Sequence, residues 1–170
     1  DGNTSRLSLR SHLPESAYSG YVRHRAIVEP MEQLIGGEVY HYHHKMMLKE
    51  PRVGGAWEWH QDYGYWYDCS LYPDMASCTV AVDRASKENG CLQVIPGLHQ
   101  AYLDHHDEGG RFSGLITDTL FQNATSRTQP LAAPAGSVIL MHCLLPHSSL
   151  PNRSSESRRT LIFEYRASDA

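Results

Sequence analysis

His60 and Asp62 stand two positions apart in the run Trp59-His60-Gln61-Asp62. On an extended strand, positions i and i+2 share a face, so this imidazole and this carboxylate converge on one point. Such a pair needs one more histidine to complete the facial triad that holds a non-haem ferrous ion with coordination positions left open. Two histidines far downstream could supply it: His142 and, in Leu144-Leu145-Pro146-His147-Ser148-Ser149, His147. They are an odd number of positions apart, so on one continuous strand they would face opposite ways and only one could join. Beyond a turn at Pro151-Asn152-Arg153-Ser154-Ser155 come Arg158 and Arg159. A guanidinium is a planar fork of donors that grips a carboxylate with two hydrogen bonds, so an arginine arriving on the next antiparallel strand could anchor a dicarboxylate. Alternation groups Arg159 with Leu161, Phe163 and Tyr165, which leaves the inward-facing arginine open between the two.

These side chains meet only if short strands carry them. Residues 38–49, 56–61, 77–83, 91–95, 137–142, 144–149 and 159–166 read as strands, punctuated by turns at 51–55, Glu88-Asn89-Gly90, Pro96-Gly97 and Pro134-Ala135-Gly136. Many short strands with regular glycine and proline breaks predict an all-β sandwich or barrel. Before them, Ile27, Met31, Leu34 and Ile35 recur at helical spacing and Gly36-Gly37 supplies a stop, which predicts a helix over 22–35 with Pro30 inside it. Residues 1–22 read as polar and irregular. Residues 101–130 fit no strand pattern and read as an inserted loop with short helical pieces, a length of loop that usually serves function.

Other reactive residues have plainer readings. In His41-Tyr42-His43-His44-Lys45, neighbours on a strand splay to both faces, so one face is expected to line a pocket and the other to pack or meet solvent. Lys45 and Lys49 read as solvated, with contact to a cosubstrate as the alternative, and His105-His106, flanked by Asp104 and Asp107, as a polar turn, with contact to a substrate as the alternative. His99 reads as structural. The aromatic run Trp57, Trp59, Tyr63, Tyr65, Trp66 and Tyr67 suits a pocket lining shared with core packing, with Trp59 and Gln61 pointing away from His60 and Asp62.

The 170 residues are 41% hydrophobic and 20% charged, the profile of one globular domain. Fifteen Lys and Arg against nineteen Asp and Glu leave a formal charge of −4, which speaks against a broadly basic nucleic-acid surface. No apolar run approaches the roughly 20 residues of a membrane span. Four cysteines without a Cys-x-x-Cys pair exclude a zinc ribbon and predict reduced thiols in a cytoplasmic setting. No signal-peptide order is read at the N-terminus.

The blocks Leu48-Lys49-Glu50-Pro51, Trp59-His60-Gln61-Asp62, Asn89-Gly90-Cys91-Leu92, Pro96-Gly97-Leu98-His99, Leu144-Leu145-Pro146-His147, Pro151-Asn152 and Arg158-Arg159 carry a likeness. From about residue 24 to residue 166 the chain resembles the phytanoyl-CoA dioxygenase family of Fe(II)/2-oxoglutarate-dependent oxygenases. The resemblance implies a mainly β fold, a double-stranded β-helix (jelly-roll, cupin-like) with flanking helices, as a single dioxygenase domain over residues 1–170. Family members carry more chain before the first helix, so part of an outer helical layer is expected to be lacking here. The resemblance further implies that His60, Asp62 and His147 bind iron, that Arg158 pairs with the far carboxylate of 2-oxoglutarate, and that Ser149 adds a hydroxyl to that carboxylate. Fe(II), 2-oxoglutarate as cosubstrate and O2 follow, with a small-molecule substrate and neither nucleic acid nor membrane as partner. The implied reaction is hydroxylation with release of succinate and CO2, and retention of Asp62 favours it over halogenation. Two other functions share the pattern: a non-catalytic metal-binding β-sandwich, and a cupin-type enzyme that does not use 2-oxoglutarate. The sequence assigns no oligomeric state.

Overall fold

The computed structural model describes residues 6–107 and 112–169; the irregular start expected at residues 1–5 lies outside them. In chain order the elements are β1 (Arg6–Arg10), α1 (Ala17–Val22), α2 (Arg25–Ile35), β2 (Val39–Lys49), β3 (Trp57–His60), β4 (Met75–Ala81), β5 (Leu92–Val94), β6 (His105–Asp107), β7 (Phe112–Ile116), α3 (Thr119–Ala124), β8 (Gln129–Pro130), β9 (Val138–His142), β10 (His147–Ser149) and β11 (Arg158–Ala167). A five-stranded sheet runs β1-β2-β11-β4-β9 and a four-stranded sheet runs β3-β10-β5-β8. Side chains of both sheets line one cavity between them, and the pairings are antiparallel: this is the expected jelly-roll, with helices on an outer face.

β11 shows how alternation builds this arrangement. Arg158, Thr160 and Ile162 face the cavity, whereas Leu161, Phe163 and Tyr165 pack outside with Ala76, Cys78 and Val80 of β4 and with Val22, Ile27 and Met31 of the helices. Tyr165 adds a tether, donating its hydroxyl to Val22 O at 2.8 Å. α2 begins where the His24 ring accepts from Ala26 N–H and ends at Gly36, whose φ of 87° is the left-handed conformation that suits glycine. The helix continues through Pro30.

Two expectations are corrected. Residues 6–22 are not irregular: β1 pairs with β2, and α1 follows. All five β1 residues are exposed, so backbone pairing rather than a buried face makes the strand, and no alternation of burial marks it. Residues 101–130 are not one irregular loop: β6 and β7 form a hairpin, α3 starts on an Asp118 cap, and β8 pairs with β5. Leu103, Ile116, Phe121 and Ala124 close over Ile95 as a separate apolar cluster. The expected strand over 144–149 shortens to β10, because a turn places Leu145 N–H on His142 O. His142 and His147 therefore lie on different sheets, and the parity comparison between them does not apply.

Candidate active site

β10 pairs with β3 so that His147 lies opposite His60. The ring centroids are 4.2 Å apart. His60 Nδ1 stands 2.7 Å from Glu58 O, and His147 Nδ1 3.0 Å from Leu145 O. A carbonyl only accepts, so each Nδ1 carries a proton and each Nε2 is turned to the opposite side of its ring. Those Nε2 atoms lie 3.7 and 3.8 Å from the two oxygens of Asp62. Ligand atoms of all three residues fall within 4.8 Å of one another, and all three residues are buried.

Asp62 is not on the strand itself but opens a 3-10 turn, Asp62–Tyr65. Gln61 before it is still extended (φ −109°, ψ 132°), so the alternation that joins Asp62 to His60 survives one residue past β3. Gln61 locks this junction. Its buried amide donates to Ala101 O (2.9 Å) and Leu144 O (2.6 Å) and accepts from Leu103 N–H (2.8 Å). Its backbone N–H donates to His105 Nε2 at 3.2 Å, so His105 braces the chain between two candidate ligands instead of forming a solvated turn. Trp59 points away as well, onto Phe121.

Burial alone would raise the Asp62 carboxyl; the Lys45 ammonium first, then charge on His147 and His60 and the Ser77 hydroxyl, hold it well below the usual carboxylate range. Lys45 Nζ lies 3.9 Å from Asp62 Oδ1 and 3.4 Å from Glu164 Oε1. Ser77 Oγ lies 3.1 Å from Asp62 Oδ2 and 2.5 Å from Glu164 Oε2. Burial pushes Glu164 upward. His60 is driven the other way, to about 3, by burial and by the neighbouring His147. A neutral imidazole is the form that binds a metal. Neither lysine is the solvated group expected: Lys45 sits in the cavity wall and Lys49 is fully buried.

The cavity beside these groups measures about 320 Å³. His43, Lys45 and Met47 line it from β2, Ser77 and Thr79 from β4, and Leu92, Ser148 and Ser149 from the smaller sheet. Trp57, Tyr65 and Trp66 join them, as do Leu7 and Leu9 of the edge strand. The opposite side of β2 packs: His44 stacks on Tyr18 at 5.4 Å. A bulge at Tyr42, opposite the step from Glu164 to Tyr165, brings His41 Nε2 to 3.3 Å from His44 Nδ1.

The two arginines part company. Arg158 is buried in the cavity wall, where Nη1 donates to Thr160 Oγ1 at 3.0 Å and Nε has no partner among the described residues. Burial lowers its pKa to about 10. Arg159 points outside and forks onto Asp83 at 2.9 and 2.7 Å. Three residues that line the cavity, Arg158, Trp57 and His43, each carry a buried side-chain nitrogen (Nε, Nε1 and Nδ1) with no partner among the described residues, a pattern that suits a polar ligand. The remaining candidates lie elsewhere. His142 Nδ1 accepts from Leu144 N–H at 3.1 Å, and His99 is exposed and faces His142. Ser77, Thr160 and Glu164 were not singled out by sequence, although Ser77 stands two residues from Thr79 and Thr160 and Glu164 stand two and six from Arg158, even spacings that place them on inward faces.

Two imidazole nitrogens preset by backbone carbonyls and one carboxylate oxygen held by the Ser77 and Lys45 side chains fit a divalent transition metal held from one side. The chain matches a family model described as phytanoyl-CoA dioxygenase over residues 9–160. It is 32% identical over 162 residues to L-proline trans-4-hydroxylase of Streptomyces griseoviridis, covering 85% of this chain and 60% of that one. It is 30% identical over 177 residues to a probable alpha-ketoglutarate-dependent hypophosphite dioxygenase of Stutzerimonas stutzeri, covering 100% of this chain and 61% of that one. The chain thus spans about three-fifths of the length of these relatives. In fold it superposes on EctD from S. alaskensis, solved with 2-oxoglutarate and 5-hydroxyectoine, with a TM-score of 0.86 at 24% identity over 96% of this chain and 57% of that one. Among the described residues no helix is long and apolar enough to cross a membrane.

Proposed function

Because the chain belongs to the phytanoyl-CoA dioxygenase family, we propose that it forms a single dioxygenase domain that uses Fe(II), 2-oxoglutarate and O2 to hydroxylate a small organic substrate. One observation carries this: three buried residues with ligand atoms within 4.8 Å of one another share a cavity with a buried guanidinium whose Nε has no partner among the described residues. When bound, Fe(II) would let O2 serve as oxidant of 2-oxoglutarate and substrate together, one oxygen atom ending in succinate and the other in the hydroxylated substrate as CO2 leaves.

His60 and His147 would offer Nε2 to the metal while their Nδ1–H groups stay on backbone carbonyls, which fixes both tautomers. Asp62 would give the third ligand, held by Ser77 and Lys45. Arg158 would grip the far carboxylate of 2-oxoglutarate, with the Ser149 hydroxyl beside it. Trp57, Trp66, Met141 and Ile162 give the cavity apolar walls that exclude water and leave space for a compact substrate. The names of relatives support a small substrate: proline, hypophosphite and, in other matches, ectoine.

The test is succinate release from 2-oxoglutarate with Fe(II) across a panel of small metabolites. Substrate-stimulated release, lost in His147→Ala and Arg158→Ala, is the expected result. Metal binding without succinate from any substrate identifies a scaffold or sensor. Oxidation that survives Arg158→Ala identifies a cupin-type enzyme with no use for 2-oxoglutarate.

A further inference from the structure

Three blocks singled out in the sequence contribute no ligand and no anchor: Lys49-Glu50-Pro51, Asn89-Gly90-Cys91 and Pro151-Asn152. In the fold they meet in one knot beside Ser149 and Arg158. Lys49 is fully buried, and its Nζ donates to Ser149 O at 3.3 Å and Leu150 O at 2.5 Å. Its own carbonyl accepts from Asn152 Nδ2 at 3.0 Å, and the same amide nitrogen donates to Glu156 O at 2.7 Å. Asn152 N–H donates to Gly54 O at 2.9 Å. Both glycines are required by contact: a Cβ on Gly54 would stand 2.7 Å from Lys49 Cβ, and one on Gly90 would stand 2.1 Å from Leu150 O. Lys49 is also the strand partner of Arg158.

A buried ammonium with no ion-pair partner among the described residues is costly, and burial together with the nearby Arg158 charge draws Lys49 down to about 7. A methionine would fill the same space without that cost. What it would lack is the pair of donors that ties the end of β10 to the strand facing Arg158.

We propose that Lys49 is a positioning residue for the cosubstrate: by holding the Ser149 and Leu150 carbonyls it sets the placement of the Ser149 hydroxyl against the Arg158 guanidinium, and so the fit to a five-carbon dicarboxylate. This rests on the 2-oxoglutarate site proposed above. The probes are 2-oxoglutarate and pyruvate, which share the keto-acid end, only 2-oxoglutarate having a far carboxylate. Each is titrated anaerobically into the Fe(II)-loaded chain, alongside Fe(II) affinity and thermal unfolding.

Lys49→Met should weaken 2-oxoglutarate by about tenfold or more while pyruvate and Fe(II) stay within about twofold, and Lys49→Arg, which keeps two donors, should recover part of the loss. A wild-type chain that binds both keto acids alike fails at the parent reading and takes this proposal with it. A wild-type preference for 2-oxoglutarate that Lys49→Met leaves intact overturns the proposal alone. Loss of Fe(II) binding together with 2-oxoglutarate, or failure of both variants to fold, also overturns it, because Lys49 would then serve the fold at large.

Discussion

Ser77 has one hydroxyl proton and two carboxylates within reach. It can donate to only one of them, so the other must bring a proton of its own. Burial pushes the fully buried Glu164 up while Lys45 holds Asp62 down, so of the two Glu164 takes a proton more readily. The chain of donors then runs from Glu164 through Ser77 to Asp62, aiming the carboxylate at His60 and His147. Ser77→Ala breaks it. Fe(II) affinity should fall by about 10-fold, the usual scale for losing a partner behind a metal ligand, as read by equilibrium titration of the metal. At this scale the sequence was uneven. His60, Asp62 and His147 were legible because their types and spacing imply a common chemistry. Ser77 and Glu164 were not, because a serine and a glutamate on strands have no distinctive type, and only the β4–β11 register, which sets Glu164 against Ser77, joins them.

At the scale of elements, α2 holds the larger sheet in shape from outside. Met31, with no exposure, packs among Cys78, Leu161 and Phe163, on the face of β4 and β11 opposite the cavity. Met31→Ala should cost about 2–5 kcal/mol in urea unfolding, the range for truncating a buried side chain whose space cannot close. Metal stoichiometry should be unchanged, since no candidate ligand touches the helix. The long strands were readable: β2, β4, β9 and β11 each occupy most of a predicted span, because alternation over many residues leaves a pattern. The short strands β3, β5 and β10 also fall inside predicted spans, but β1, β6 and β8 do not. β1 buries no side chain, and β6 and β8 are too brief to show a period, so pairing alone creates them. Arg158 and Arg159 were hard to rank for a related reason. Alternation separates them but does not say which face is inside until α2 is seen covering Leu161, Phe163 and Tyr165.

For the whole molecule, stability should fall on the acid side as buried histidines are forced to take up protons. Burial first, and the nearby His44 for His41 and Lys45 for His43, lower both imidazoles to about 4 from 6.5. The folded chain keeps them neutral where the unfolded chain would protonate them. Their contribution is therefore complete above pH 6.5 and is lost progressively as pH falls from 6.5 towards 4. Between pH 7 and 5 the metal-free chain should lose about 1 kcal/mol per histidine after solvent screening, a fall in Tm of roughly 4–8 °C for the pair. Calorimetry of a His41→Gln/His43→Gln double variant should show a correspondingly flatter curve. The contrasting fates of the adjacent arginines have a consequence for how the chain reaches this state. If β11 slid one residue along β2, Arg159 would turn inward, Phe163 would enter the cavity in place of Arg158 and its neighbours, and Glu164 would be pressed beneath α2 without Ser77 or Lys45. The misplaced guanidinium and the unpartnered carboxyl would each add several kcal/mol to that misaligned form. Residues that serve the cavity thus also proofread strand alignment during folding, and the errors they reject are those that would disarm the site.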